Sequence, residues 1–328
     1  MLSRVADSVY WMNRQIERAE NVARAMDTTL DLALEGTISP GRLWNALVCI
    51  FGDQADFWAR RGLADQTHVI DFLAFDPDNP NSIYRCLQAA RENARTVRDM
   101  ISSPMWEEIN KCYLAVRAAG RGEAENPREF LDEVKRASQL IAGVTDATMS
   151  HGEAWHFARM GRLIERADKT SRVLDVEHFF HPPAERNGGA PPNADAVAPD
   201  EGGVVEWPAV LESASALEMY RKQYGAVSRR NVAEFLVLDR AFPRAMHFCL
   251  IKAEESLLAV TGGTKGSYSN PAEQQLGRLR AELDYAHIDE ILGETGGLHR
   301  FIDAFQSRLN RASDAIYDTF FALRPVGK

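Results

Sequence analysis

Apolar residues recur along most of the chain at steps of three and four, the spacing that brings side chains onto one face of an α-helix. The longest stripe lies between residues 298 and 320, and shorter stripes cover residues 83–101 and 9–26. Sustained alternation of apolar and polar residues, the pattern of a half-buried β-strand, does not occur in any segment. The pattern therefore predicts an all-α protein. The positions of the longest stripe are Leu298, Phe301, Ile302, Phe305, Leu309, Ala312, Ile316 and Phe320.

Helix-breaking residues cluster between Pro182 and Pro208, where Pro-Pro and Gly-Gly pairs stand among small polar residues. Such a segment cannot contribute a face to a hydrophobic core. We expect a surface insertion there that interrupts a structural unit, rather than a boundary between two domains.

Two pairs of segments match each other inside the chain. Met12–Asp27 and Met160–Asp175 share eight of sixteen positions without a gap, including the sequence IERA. Phe72–Leu87 and Phe235–Leu250 follow in the same order with equal internal spacing. The matches predict a tandem duplication, with repeats at 1–149 and 150–328 packed as one helical bundle about a pseudo-twofold axis.

The second pair of segments carries an aspartate and a proline at equal spacing. Asp76 precedes Pro80, and Asp239 precedes Pro243, by the same four positions. Aspartate side chains commonly accept hydrogen bonds from backbone N–H groups two or three residues later, at turns that precede helices. We therefore expect both aspartates to cap turns.

Each of the first two segments carries charged side chains on one helix face. An exposed face with ion pairs would show the same spacing, but such pairs contribute only about 0.3–0.5 kcal/mol each and change readily as copies diverge. Because both segments keep the Arg–Glu–Arg arrangement, we expect these groups to face an internal polar seam or a ligand cleft. The charged positions are Arg14, Glu17, Arg18 and Arg24 in the first segment and Arg162, Glu165, Arg166 and Arg172 in the second.

The amino-acid composition and charge argue against several classes of function. Lys and Arg number 38 against 47 Asp and Glu, for a net charge of −9, so no overall basic field would hold nucleic acid or an anionic membrane. We see neither a signal peptide nor an apolar run near the ~20 residues that cross a bilayer, and we expect a cytoplasmic protein. The four cysteines are spaced too irregularly for a zinc or dithiol site, so no metal is expected.

Four segments, in this order, resemble the bacterial Alpha-E domain proteins, an all-helical family with a Glu-Arg motif. Glu17-Arg18 and Glu165-Arg166 occupy the Glu-Arg positions, and Asn13 stands where the second repeat has Gly161 and where a Gly is typical of the family. The resemblance implies, as partners, a circularly permuted ATP-grasp protein and a transglutaminase-like protein in systems that make or modify peptide-like amide bonds. The four segments are SRVADSVYWMNRQIERAENVAR, NPNSIYRCLQAARENARTVRDMISSPMWEEIN, GRLIERADKTSRVLD and FLVLDRAFPRAMHFCL.

The arginines of these stripes suit the binding of an anion. A guanidinium holds a phosphate or carboxylate in a fork of donors, and a nearby glutamate can orient it. A glutamate between two arginines stays ionised and is a poor general acid, so no catalytic residue is assigned. The candidate binding residues for an anionic or peptide-like small molecule are Arg14, Glu17, Arg18, Arg24, Arg162, Glu165, Arg166 and Arg172, with Arg95 and Arg244 near the two Asp–Pro segments.

Three functions fit these residues. The one we favour is a non-catalytic or co-catalytic helical subunit of an ATP-grasp amide ligase system, with no cofactor of its own because ATP would bind the partner ligase. The second is a stand-alone enzyme of amide transfer that uses Glu17 or Glu165 as a base. The third is a structural scaffold in which the Glu–Arg pairs only join two halves of the fold.

Overall fold

Helices make up the fold of this chain. The described chain contains no β-strand, which confirms the all-α prediction. The predicted insertion between Pro182 and Pro208 lies outside the described residues up to residue 206, whereas Trp207 and Pro208 begin a helix. The structure is a computed structural model that describes residues 1–36, 38–51, 54–120, 126–176, 207–293 and 297–322.

Eight α-helices lie in the described ranges before residue 177. A π-helix, Asp71–Phe75, directly continues the fourth helix. The eight are α1 (Ser3–Glu35), α2 (Pro40–Phe51), α3 (Gln54–Arg61), α4 (Gln66–Ile70), α5 (Ile83–Thr96), α6 (Ser103–Ala118), α7 (Pro127–Thr148) and α8 (Glu153–Leu174).

Seven α-helices lie in the described ranges after residue 206. The last of them continues into a second π-helix, Tyr317–Phe321. The seven are α9 (Trp207–Ser213), α10 (Leu217–Gln223), α11 (Arg229–Leu238), α12 (Met246–Thr261), α13 (Pro271–Tyr285), α14 (Ile288–Gly293) and α15 (Gly297–Ile316).

The apolar stripes read from the sequence form the core. Val9, Met12 and Met26 on α1 are fully buried, and six of the eight positions of the last stripe are buried as well. The other two, Phe301 and Phe320, are half-buried against the core. Burial of these side chains is the dominant stabilising contribution to a helical body of this kind. Among the described helices, none combines the length and the apolar character that crossing a membrane demands.

The helices α1 and α8 are the central pair and run side by side in the same direction. Tyr10 lies against Gly161 near their beginnings, and Thr28 and Val176 line one pocket near their ends, so contacting positions increase together along both helices. α5 packs on α1 and α12 packs on α8, while α6, α7, α13 and α15 form the outer layer. This order is compatible with two related units, but the duplication, the boundary at 149/150 and the pseudo-twofold axis stay predictions.

Aspartate-capped turns precede α5 and α12. Asp76 Oδ1 accepts from a following backbone N–H at 2.8 Å, and Asp239 Oδ1 accepts from two, at 2.8 and 2.6 Å. These contacts confirm the predicted turn caps. They also fix the positions of Asn81 and Arg244, which follow the turns and reach Arg18 and Glu17 on α1.

Candidate functional site

Close contact between α1 and α8 brings the two charged faces together. Gly161 makes this contact possible, since a Cβ atom at this position would lie 2.4 Å from the carbonyl oxygen of Tyr10. No side chain larger than hydrogen fits at that distance without moving one helix. The glycine therefore sets the separation at which the Glu-Arg sequences of the two helices meet.

The Glu-Arg sequences pair reciprocally across this contact. Arg166 donates from Nε and Nη2 to the two carboxylate oxygens of Glu17, both at 2.8 Å. Arg18 donates from Nε and Nη2 to the oxygens of Glu165 at 2.6 and 3.1 Å. Both carboxylates are almost fully buried, at 2% and 0% exposure, so each glutamate depends on an arginine of the other helix.

Further cations surround Glu165. Arg14 Nε donates to its Oε2 at 2.9 Å, and Lys169 Nζ lies 3.6 Å from its Oε1. Asp168 binds the same lysine at 3.0 Å and Arg172 Nε at 3.0 Å. This end of the interface is thus a continuous network of ion pairs along α8.

A different set of groups surrounds Glu17. Asn21 donates to Glu17 Oε1 at 2.9 Å, and Arg244 Nη1 approaches the same oxygen at 3.2 Å. Arg244 Nη2 also donates to Glu20 at 2.8 Å, and Glu20 forms an ion pair with Arg24. The loop before α12 therefore supplies a cation that enters the α1–α8 interface.

The two ends differ in how their arginines are paired. Arg14 contacts Glu165, but the matching residue on α8, Arg162, has a buried Nε for which no described residue provides an acceptor. At the position that matches Arg244, the first Asp–Pro segment has the neutral Asn81, which accepts from Arg18 at 2.9 Å. Arg244 thus pairs with Glu17 at one end, while Arg162 forms no ion pair with a described residue.

Positive charge exceeds negative charge in this interface. Eight cationic side chains face four acidic ones, a surplus of four. We call this set the Glu–Arg cluster. It consists of Arg14, Arg18, Arg24, Arg162, Arg166, Lys169, Arg172 and Arg244 with Glu17, Glu20, Glu165 and Asp168.

The surplus of positive charge in the Glu–Arg cluster shifts the pKa values of its members. Burial alone would raise the pKa of Glu17, but Arg166 and Arg244 outweigh it and lower that pKa to about 2. Burial together with repulsion from neighbouring arginines lowers the pKa of Arg24 to about 9 and those of Arg162 and Arg244 to about 10. The glutamates are held ionised, and three arginines lack full compensation.

Nine of the ten residues proposed from the sequence belong to the Glu–Arg cluster. The tenth, Arg95, does not: its side chain is 70% exposed and pairs with Glu92 at 2.9 Å. α5 packs on α1 through its apolar face, which includes Ala94, and Arg95 lies outside that face. Its inclusion in the site was therefore wrong, and the alternative of a solvated helix face applies to it.

Sequence reasoning missed several members of the network. Glu20 and Asp168 occupy matching positions of the two segments and both are acidic, which was an available signal. Lys169 lies on the same charged face of α8, at the position of the neutral Asn21 in that comparison, but was left out of the proposed site; its contacts with Glu165 and Asp168 place it in the network.

Comparison with known proteins places these observations in a family. A family model described as a predicted α-helical domain with a conserved ER motif matches residues 1–321. The chain belongs to the Alpha-E family. The reciprocal pairs of Glu17 with Arg166 and Glu165 with Arg18 are thus formed by the two Glu-Arg dipeptides that resemble the motif of this family.

Curated relatives of this Alpha-E chain come from mycobacteria. An uncharacterised protein of Mycobacterium bovis and one of Mycobacterium tuberculosis are each 22% identical over 315 residues, which cover 88% of this chain and 33% of the relative. The chain therefore spans about a third of the length of the curated relatives it matches. No solved structure matches it.

Three residues with metal-ligating side chains lie together where α8 meets α15. They are Asp175, directly after α8, and His299 and Asp303 on α15. These residues offer three ligand atoms within 4.8 Å of one another. His299 Nδ1 lies 2.9 Å from both oxygens of Asp175, so the two groups already form a hydrogen-bonded pair. Burial raises the pKa of Asp175 to about 6 even though His299 opposes the shift.

Proposed function

We propose that this Alpha-E chain is a helical accessory subunit of an ATP-grasp amide ligase system, in which it binds an anionic group of the substrate or intermediate. The observation that carries the proposal is the surplus of four cations in the Glu–Arg cluster. Buried charges of one sign require compensation, and a bound anion would supply it. The partner class rests on the family resemblance, in which Alpha-E proteins accompany ATP-grasp enzymes.

Arginine suits the anions that such a reaction presents. An acyl phosphate or a peptide carboxylate offers two or three oxygens that a guanidinium can bind at once. Glu17 and Glu165 hold the arginines in place and are weak bases, because the neighbouring arginines lower the pKa of both carboxyls. The chain would then position or shield an intermediate that the ligase forms.

Reconstitution tests this function. The chain is mixed with an ATP-grasp protein encoded near it in the genome, and co-purification of the two is examined. Amide formation is then measured with and without the chain. We expect a complex and a faster reaction with the wild type and with Arg95→Gln, and a smaller stimulation with Arg244→Gln. Amide formation by the ATP-grasp protein alone at the same rate as the mixture would overturn the proposal.

A structural scaffold is the second candidate, favoured by the reciprocal pairs themselves. Glu17 with Arg166 and Glu165 with Arg18 satisfy one another inside the protein, so these four groups need no ligand. If stabilising the fold were the whole role of these four residues, the double variant Glu17→Gln, Arg166→Gln would lower the melting temperature. It would leave complex formation and amide formation unchanged.

The geometry does not favour a stand-alone enzyme with Glu17 or Glu165 as base. A carboxylate whose pKa is about 2, as for Glu17, accepts a proton poorly at neutral pH. The arginines lower the pKa of Glu165 well below its usual range too. Turnover by the purified chain that disappears in the double variant Glu17→Gln, Glu165→Gln, with folding intact, would reverse this assessment.

A further inference from the structure

Arg162 is the member of the Glu–Arg cluster whose charge no described acidic group neutralises by an ion pair. Its counterpart Arg14 has Glu165 at 2.9 Å, whereas the carboxylate available to Arg162, that of Glu17, is taken by Arg166 and Arg244. The Nε of Arg162 is buried and lacks an acceptor among the described residues. A buried donor of this kind destabilises the folded protein unless a ligand or water accepts its hydrogen bond.

A second arginine stands one helical turn earlier on the same face of α8. Arg159 Nη1 donates to Ser256 Oγ at 3.4 Å, and its guanidinium lies 5.2 Å from the ring of Trp155. Residues three apart on a helix are neighbours, and Arg159 is one of the groups whose repulsion lowers the pKa of Arg162. Both arginines therefore present positive charge to the same space between α8 and α12.

The acidic groups near this space do not neutralise it. Glu255 forms an ion pair with Arg159 at 3.5 Å, but Lys252 holds the same carboxylate more closely, at 2.8 Å. Asp146 also acts on Arg162, but its side chain is 64% exposed and solvent screens it. Arg159, Arg162 and Lys252 carry three positive charges against the single charge of Glu255, a surplus of two, which matches a dianion better than a single carboxylate.

We propose that Arg159 and Arg162, with the hydroxyl of Ser256, form a binding site for a phosphate-type oxyanion. The two guanidiniums and the hydroxyl are donors of the kind that bind the oxygens of a phosphate monoester or of inorganic phosphate. The site lies one turn from the reciprocal Glu–Arg pairs and does not use them. The inference deepens the proposed function by naming the anion class, but it concerns binding by this chain alone.

Thermal unfolding of the isolated chain tests the site. Inorganic phosphate is titrated against sodium chloride of equal ionic strength, and a phosphate monoester forms a separate arm that distinguishes a phosphorylated ligand from free phosphate. We expect phosphate, but not chloride, to raise the melting temperature of the wild type and of Arg95→Gln. Arg162→Gln should bind phosphate about tenfold or more weakly, as expected for the loss of one charge-assisted hydrogen-bonding group.

The variants also separate this role from a structural one. Because the buried Nε of Arg162 has no acceptor among the described residues and its charge has no ion pair there, Arg162→Gln should unfold at the wild-type temperature or above it when phosphate is absent. Arg159→Gln is the second variant and should show the same loss of phosphate binding. Equal stabilisation by phosphate in the wild type and in both variants, or no effect of phosphate beyond that of chloride, would overturn the proposal.

Discussion

Glu17 and Glu165 are each buried in the protein interior, and each carboxylate is paired with arginines of the opposite helix. Replacing a whole buried ion pair by apolar residues can leave stability unchanged, because desolvation offsets much of the attraction. Removing one partner is different, since the other is then left charged and unpaired. The predictions at this scale follow from that difference.

Glu17→Gln should lower the free energy of unfolding by about 3 kcal/mol or more, because it leaves Arg166 without its carboxylate and Arg244 with Glu20 alone. Urea denaturation at pH 7 measures the change. The matched control is Glu92→Gln, which removes an exposed partner of Arg95 and should cost less than about 0.5 kcal/mol. Equal losses in the two variants would mean that Glu17 is not the buried partner described above.

Stability should fall in acid. The pKa of Glu17 is about 2 in the folded protein against 4.5 ordinarily, and that of Asp168 is about 2 against 3.8. A lowered folded pKa stabilises the protein above the ordinary value, and this contribution is lost as pH falls toward 2. For Glu17 the loss is about 3 kcal/mol. Urea midpoints measured between pH 6 and pH 2 test this, and Glu17→Gln should flatten the dependence.

At the residue scale the sequence supported only part of the site. Matching positions in two segments identified Glu17, Arg18, Glu165 and Arg166, because their pattern is the same in both. Nothing in helix periodicity separates a polar residue at a helix–helix interface from one facing solvent, which is why Arg95 was wrongly included. Which oxygen each arginine binds depends on the separation of α1 and α8, and that separation is a tertiary property.

At the scale of elements, α1 and α8 carry the architecture. Apolar periodicity predicted the helices, because burial of an apolar face is what stabilises them. Apolar periodicity did not predict that the two central helices run in parallel at close distance. That arrangement depends on a single small residue, Gly161, at a contact between two backbones.

Gly161→Ala should separate α1 from α8 and weaken the Glu–Arg cluster, because the added methyl group would meet the carbonyl oxygen of Tyr10 at 2.4 Å. We expect a loss of about 1–3 kcal/mol in the free energy of unfolding. Gly143→Ala on α7 is the control, since a Cβ there meets nothing within 4 Å and should stabilise the helix by about 0.5–1 kcal/mol. A neutral Gly161→Ala would contradict the close approach.

At the scale of the whole molecule, one interface joins elements that lie far apart along the chain. Its buried pairs link α1 with α8, and Arg244 ties the loop before α12 to α1. Neither α1 nor α8 alone keeps Glu17 and Glu165 paired with arginines.

We therefore expect the described helices to unfold together. Calorimetric and van't Hoff enthalpies of thermal unfolding should agree, and circular dichroism and tryptophan fluorescence should give one midpoint. The variant Glu17→Gln with Glu165→Gln breaks both reciprocal sets and should broaden or split the transition. Two separate transitions in the wild type would show that the segments before and after residue 150 fold independently.

The reciprocity of the motif has a consequence for how this chain can change over time. A substitution in either Glu-Arg dipeptide alters the surroundings of the other one, roughly 150 positions away. A second substitution that restores the pairing must arise in a distant part of the same gene. Either segment alone would leave its glutamate and arginine without their partners. Because α1 and α8 belong to one chain, each molecule contains both Glu-Arg dipeptides in equal number, and each dipeptide has its partner in the same molecule.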